Sequence, residues 1–253
     1  VVAAAALFFC GVAPASAATA LNPDEAAGPS AILVLIPQDP DEDLGFDEQI
    51  NDGFARIDGL SVGLMSSTQG SYEASQALLD MSQGTRVSRS TYDPKDTPQV
   101  LLRKDRILGG GLLANWVRIV ERADTAPQTI VPGLLASTIP GGAAYVGTGA
   151  TLQKTAIPAA DEEGHIAAID LSDEPDAFGA QPIRAWQFTA RYPFVVFRTK
   201  AGRAGLKQLI VLLRLRRPDQ GVIATQSPPE AINIPLLPVA VAGGCSGGVT
   251  TAA

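Results

Sequence analysis

Six consecutive apolar residues, Ala31-Ile-Leu-Val-Leu-Ile36, run directly into Pro37-Gln38-Asp39-Pro40. A run this short, apolar on both faces, is the pattern of a strand buried in the middle of a parallel sheet. Pro37 ends it, because proline has no N–H to give to a ladder. Parallel sheets are covered by helices on both faces, so this stretch predicts an α/β domain with a mostly parallel central sheet. Sites in such folds are built outside the carboxyl ends of the strands, which directs attention to the loop that opens at Pro37.

The chain has 253 residues, 46% of them hydrophobic, enough for one substantial core. Its formal net charge of -7 argues against nucleic acid or an anionic membrane surface as a general partner, since both require a basic footprint. Val1 to Val12 is apolar throughout and is followed by Ala13-Pro-Ala-Ser-Ala17, the small-residue pattern that a signal peptidase cuts after. Residues 1–17 therefore read as an export signal truncated at its start, 18–30 as a Pro/Gly/Ala linker, and 31–253 as a single domain. The exported product would be secreted or membrane-attached, with any membrane tether outside this segment. Cys10 would leave with the signal, so Cys245 would be the remaining thiol and no internal disulfide is expected. Both ends look like those of a segment of a longer protein.

After the first strand come seven acids within residues 39–52 and no base. Phe46, Ile50, Phe54 and Ile57 behind them have the spacing of one helical face. Gly59 to Met65 reads as a second strand, and Ser71 as the cap of a helix that stops at Gly84. Thr85 to Leu108 reads as loops with one short edge strand, Leu112 to Arg122 as an amphipathic helix, and 129–138 as a shorter one. Further strands are expected at Gly142–Val146, His165–Ile169, Leu209–Leu213 and Leu236–Ala242. Trp186–Phe197 is β-rich but broken by Pro193, which favours an edge position.

Several motifs suggest chemistry, each beside a plainer use. Gly244-Cys-Ser246-Gly-Gly248 fits the serine-nucleophile pattern but lacks a following helix, and a glycine loop explains it as well. Gly147-Thr-Gly149, with Asp170 some twenty residues on, is similar to a dinucleotide fingerprint. Leu152 replaces its third glycine and Pro158 shortens its helix, so a simple strand-to-loop turn is the alternative. Asp39-x-Asp41-x-Asp43 copies the start of a calcium loop, yet Leu44 and Ile50 stand where Gly and Glu are needed, so a solvated acidic helix start is the better account and weak divalent-cation binding the alternative. Arg198, Lys200, Arg203, Lys207, Arg214, Arg216 and Arg217 place seven bases within twenty residues without an acid. They would either converge on an anionic ligand or form a solvated face.

The order of these elements resembles the alkaline phosphatase superfamily. The resemblance rests on the buried strand ending at an acidic loop and on Ser66 to Gly84, where a Ser/Thr turn leads into a helix through Leu78 and Leu79. It also rests on Thr129-Ile-Val-Pro-Gly-Leu-Leu135 with Ala144-Tyr-Val-Gly147, on Leu209 to Gly221, and on Leu236 to Gly243. More narrowly, the chain resembles divergent ectodomains of that superfamily in bacterial envelope proteins. The resemblance implies an alkaline-phosphatase-like α/β fold and a two-metal centre, usually Zn²⁺, that activates a Ser or Thr nucleophile on phosphate or sulfate esters. By position it implies Thr68 or Ser71 as the nucleophile, and Asp39 and Asp219 as metal ligands. The departures are equally specific. Pro37-Gln38 replaces the expected Asp-Gly, Gln220 replaces the motif histidine, and His165 is the chain's single histidine. The expectation is a catalytically degenerate, exported domain that serves as a binding or structural module in the bacterial cell envelope, with an envelope partner or an anionic ligand and no cofactor. The alternative is a metal-dependent ester hydrolase or transferase whose remaining ligands lie beyond residue 253.

Overall fold

The computed structural model describes residues 28–38, 46–66, 73–105, 110–147, 153–171, 180–228 and 236–243. Along the chain the strands are β1 (Ser30–Ile36), β2 (Ser61–Ser66), β3 (Leu101–Lys104), β4 (Gly111–Ala114), β5 (Ala143–Gly147), β6 (His165–Ile166), β7 (Ala168–Leu171), β8 (Phe194–Arg198), β9 (Gln220–Gln226) and β10 (Leu236–Ala242). The helices are α1 (Phe46–Ala55), α2 (Ala74–Gln83), α3 (Trp116–Ala123), α4 (Leu134–Ser137), α5 (Ala180–Phe188) and α6 (Gly202–Leu215). A seven-stranded sheet runs β2-β10-β9-β1-β8-β5-β7, and β3-β4-β6 form a second, smaller sheet. Only β10 runs against the others in the large sheet.

β1 lies in the middle, parallel to β8 on one side and β9 on the other, as its two-sided apolarity requires. Its alternate residues enter two cores. Leu33 and Leu35 pack with Tyr145, Val196 and the α2 residues Leu78 and Leu79. Ile32, Val34 and Ile36 pack with Phe197, with Ile50 and Phe54 of α1, and with Leu209 and Leu212 of α6. Helices therefore cover both faces, and the second sheet joins the α2 face through Leu102, Leu113 and Ile166. Each such large side chain removed from water contributes about 1.5–3 kcal/mol, so these two layers account for much of the fold's cohesion. Among the described residues no helix is long and apolar enough to cross a membrane.

Several expectations need correction. Leu209–Leu213 is not a strand but part of α6, whose buried residues Gly202, Gly205, Leu209 and Leu212 recur at helical spacing. A Cβ at Gly205 would stand 2.3 Å from the Lys200 carbonyl oxygen and 2.8 Å from Ile36 Cγ2, so glycine there lets the helix lie directly on β1. β8 is central rather than at an edge. Pro193 precedes it and costs no ladder bond, and its carbonyl accepts the Ala31 N–H at 2.8 Å. Leu112–Ala114 pairs with β3 instead of starting a helix, and Asn115, at φ 68°, turns the chain into α3. His165–Ile169 is two strands in two sheets, β6 and β7, not one. The residue that caps α2 is Glu73, without a side-chain cap bond, and Ser71 lies outside the described residues.

Gly133 joins α2, through its N–H to Ser82 Oγ at 3.4 Å, to the segment just before β6. Its φ is 84°, and a Cβ would stand 2.2 Å from the Asp161 carbonyl oxygen. Gly133→Ala combines a left-handed backbone with a fixed backbone clash and is expected to cost roughly 3 kcal/mol, read as a lower urea midpoint at unchanged slope.

Candidate functional site

The chain leaves β8 toward β9 through α6 on one face of the sheet. It leaves β5 toward β7 through a 3₁₀ segment, Gln153–Ala159, on the other face. The connections diverge between β8 and β5, and in open α/β sheets ligands bind at the carboxyl ends of strands at such a division.

Arg198 is the last residue of β8, next to that division. Leu35 pairs with it on one side and with Thr225 on the other, and residues in register share a face, here the α2 face. On β5, Tyr145 pairs with Val196, two residues before Arg198, so its ring lies on the same face. The Tyr145 hydroxyl is 2.8 Å from Thr155 Oγ1 in the 3₁₀ segment, and the tyrosine is 2% exposed. Burial pushes the Tyr145 hydroxyl above its ordinary range, against the Thr155 hydrogen bond and the charge of Arg198. Burial likewise pulls the Arg198 guanidinium below its ordinary range, with Tyr145 acting in the opposite direction. A guanidinium remains cationic even so.

Helices α1, α2 and α6 follow β1, β2 and β8, and the three strands run the same way, so all three helices begin at the carboxyl edge. The first residues of α2 and α6 have no side-chain cap bond. Helix N-termini carry partial positive charge, and those of α2 and α6 lie at the same edge as Arg198. Such an arrangement can hold an anionic oxygen by charge-assisted hydrogen bonds.

No protein-family model matches the chain, and no curated protein matches it. Among solved structures it is similar to the PH0037 protein from Pyrococcus horikoshii, at 13% identity and a TM-score of 0.46, over 90% of this chain and 88% of that one. It is also similar to the cofactor-independent phosphoglycerate mutase from Thermoplasma acidophilum DSM 1728, at 11% identity and a TM-score of 0.35, over 85% and 89%. At these values neither likeness bears on the chemistry of the edge.

Of the residues singled out in the sequence, Asp39, Thr68, Ser71, Gly149 and Ser246 lie outside the described residues. Asp219 is exposed in the turn before β9, 3.4 Å from Arg217 Nε. That is the amino edge of the sheet, opposite the end of β1 that residue 39 follows. The reading of Asp219 as a ligand requires 209–213 to be the preceding strand, and that stretch is helical. Asp170, at the end of the dinucleotide-like stretch, has both carboxylate oxygens within 3.0 Å of Arg184 Nη1. His165 is on β6, 4.0 Å from Asp105, and the next residue but one bonds to Ala143 at the amino end of β5. Among the described residues no three His, Cys, Asp or Glu side chains gather as a metal site. The described donors, with the histidine at the far end of the sheet, do not fit a two-metal centre on their own.

The basic run divides. α6 is 14 residues, about 21 Å long, so it separates Arg198, Lys200 and Arg203 at the carboxyl edge from Arg214, Arg216 and Arg217 at the amino edge. There Arg216 donates to the Gln220 carbonyl and Arg217 to Ser30 Oγ, fastening the starts of β9 and β1. The sequence reading did not single out Tyr145 and Thr155. The available signal was a tyrosine inside an otherwise small apolar strand, because a buried hydroxyl needs a partner.

Proposed function

We propose that the chain is a domain of alkaline-phosphatase-like fold that is exported and acts without catalysis. It binds an anionic group, a phosphate or sulfate ester, of a partner in the cell envelope. The observation that carries this reading is the partly buried Arg198 guanidinium beside Tyr145, at the carboxyl edge where the connections from β8 and β5 diverge. A guanidinium held there presents planar, charge-assisted N–H donors that match the oxygens of a phosphate or sulfate group. The element order β1, acidic segment, β2, Ser/Thr segment and α2 supports the fold assignment, and the apolar start with Ala13 to Ala17 supports export.

A second reading is a metal-dependent hydrolase or transferase of phosphate or sulfate esters. It is favoured by one observation: the segment with Thr68 and Ser71 joins the carboxyl end of β2 to the first turn of α2, where a nucleophile would meet a helix N-terminus. Elemental analysis of the intact gene product, after exposure to Zn²⁺, Mn²⁺ and Mg²⁺ and removal of loose ions, separates the two. The binding-module reading expects no tightly retained metal, no phosphomonoesterase turnover, and an unfolding temperature that rises with inorganic phosphate at constant ionic strength. About two retained metal equivalents with turnover lost on Thr68→Ala or Ser71→Ala would establish the enzyme instead.

A further inference from the structure

Asp80 is 7% exposed on the inner side of α2, away from the sheet edge. Its Oδ1 accepts hydrogen bonds from Gln76 Nε2 at 2.8 Å and Gln83 Nε2 at 3.0 Å. Its Oδ2 is buried without a partner, and so is Gln76 Oε1. These two oxygens belong to the same pair of groups that already share one hydrogen bond. A carboxylic acid and a primary amide are complementary in this way: the amide N–H donates to one acid oxygen, and the acid O–H donates back to the amide oxygen. One proton on Oδ2 thus answers both orphaned acceptors. Turning the amide over would instead set its oxygen against Asp80 Oδ1.

We propose that Asp80 carries a proton in the native state and donates it from Oδ2 to Gln76 Oε1, and that ionisation of this acid–amide pair is a pH-sensitive release of the 85–97 segment from α2. The cluster fastens that segment directly. Gln83 Nε2 also reaches the Thr85 carbonyl, and Gln76 and Gln83 both approach the buried Tyr92 hydroxyl at 3.4 Å. Arg122 of α3 stacks on the Tyr92 ring at 3.8 Å and donates to the carbonyls of Pro94 and Lys95. Glu73, before α2, accepts the Thr97 N–H at 3.1 Å. The charged group that acts on Asp80 is Arg122 from α3, and Tyr92, Glu73 and Arg89 act in turn on Arg122. A carboxylate forming here would place a charge with an unpartnered oxygen beneath the loop.

Burial raises the Asp80 carboxyl from 3.8 to about 7, against the hydrogen bonds from Gln76 and Gln83, the nearby Val87 N–H and the charge of Arg122. The native state thus keeps a proton that the unfolded chain loses above about pH 4. The stabilising contribution is complete below that pH, declines as pH rises, and is gone above about 7.

The test is urea unfolding of the unmutated chain and of Asp80→Asn between about pH 5 and about pH 8.5. Asparagine keeps one acceptor and supplies a permanent donor toward Gln76. The unmutated chain is expected to lose about tenfold in its folding constant per pH unit up to about pH 7 and then level, a step that D80N lacks. Hydrogen exchange at the Val87 and Thr97 amides should accelerate over the same window. A ¹³C titration of the Asp80 carboxyl in the unmutated chain reads the proton even if D80N fails to fold. A midpoint near 4, or a D80N profile with the same step, would overturn the proposal.

Discussion

Arg198→Met is expected to remove the protection that inorganic phosphate gives the fold, while the fold itself persists. Methionine keeps an unbranched apolar stem of similar reach against Leu35 and Tyr145 but brings no charge to the carboxyl edge. A charge-assisted hydrogen bond contributes about 1.5–3 kcal/mol, which corresponds to roughly tenfold to hundredfold weaker anion binding. Arg198→Lys retains the charge without the planar two-pronged donor, so an intermediate loss is expected. The measurement is the unfolding temperature across a phosphate series at fixed ionic strength. Full protection in R198M would move the anion away from β8, to the N-terminus of α6 for instance, and would remove the observation on which the binding-module reading rests.

Phe197→Ala is expected to produce the largest loss of stability, about 3–5 kcal/mol. Phe197 is 0% exposed, in the central strand β8, with Val34 of β1 and Val146 of β5 beside it in register. The core it fills lies between the sheet and helices α1, α5 and α6. Parallel strands on either side keep the backbone from closing the gap, so most of the ring's volume would remain as a cavity. Domains of this kind are stable by about 5–15 kcal/mol in all, and F197A should therefore show both a lower urea midpoint and a smaller folded yield. A loss below about 1 kcal/mol would mean that the helical layer collapses onto the sheet more readily than close packing allows.

The central sheet was legible where local pattern and tertiary role coincide. Ala31 to Ile36 is apolar on both faces because both faces are buried, and Pro37 bounds the run at the length of a strand. Leu236–Ala242 was read correctly for its β composition, and Ile50 with Phe54 for its helical spacing. Leu209–Leu213 was misread because a short apolar run is shared by buried strands and buried helices. The wider spacing of Gly202, Gly205, Leu209 and Leu212 would have decided it. Pro193 misled because a proline just before a strand costs nothing, whereas one inside it would. The edge site was only partly readable. Arg198 appeared as one of seven bases, and nothing in that run distinguishes the residue ending a central strand from those on a helix surface. Its association with Tyr145 and Thr155 depends on pairing between β5 and β8, which local sequence does not encode.

The position of β1 also bears on how the chain comes together in time. Ser30, at its start, meets Gln220 across 190 residues of sequence, and both of its strand neighbours, β8 and β9, come after α5. At ribosomal rates of about 5–20 residues per second, β1 waits roughly 10–40 s for those partners. Until then its six apolar residues lack their neighbours in the sheet, and early contacts are restricted to local helices and the β3–β4 pair. The first strand of the sheet thus cannot pair until β8 and β9 have been made, however early the local elements form.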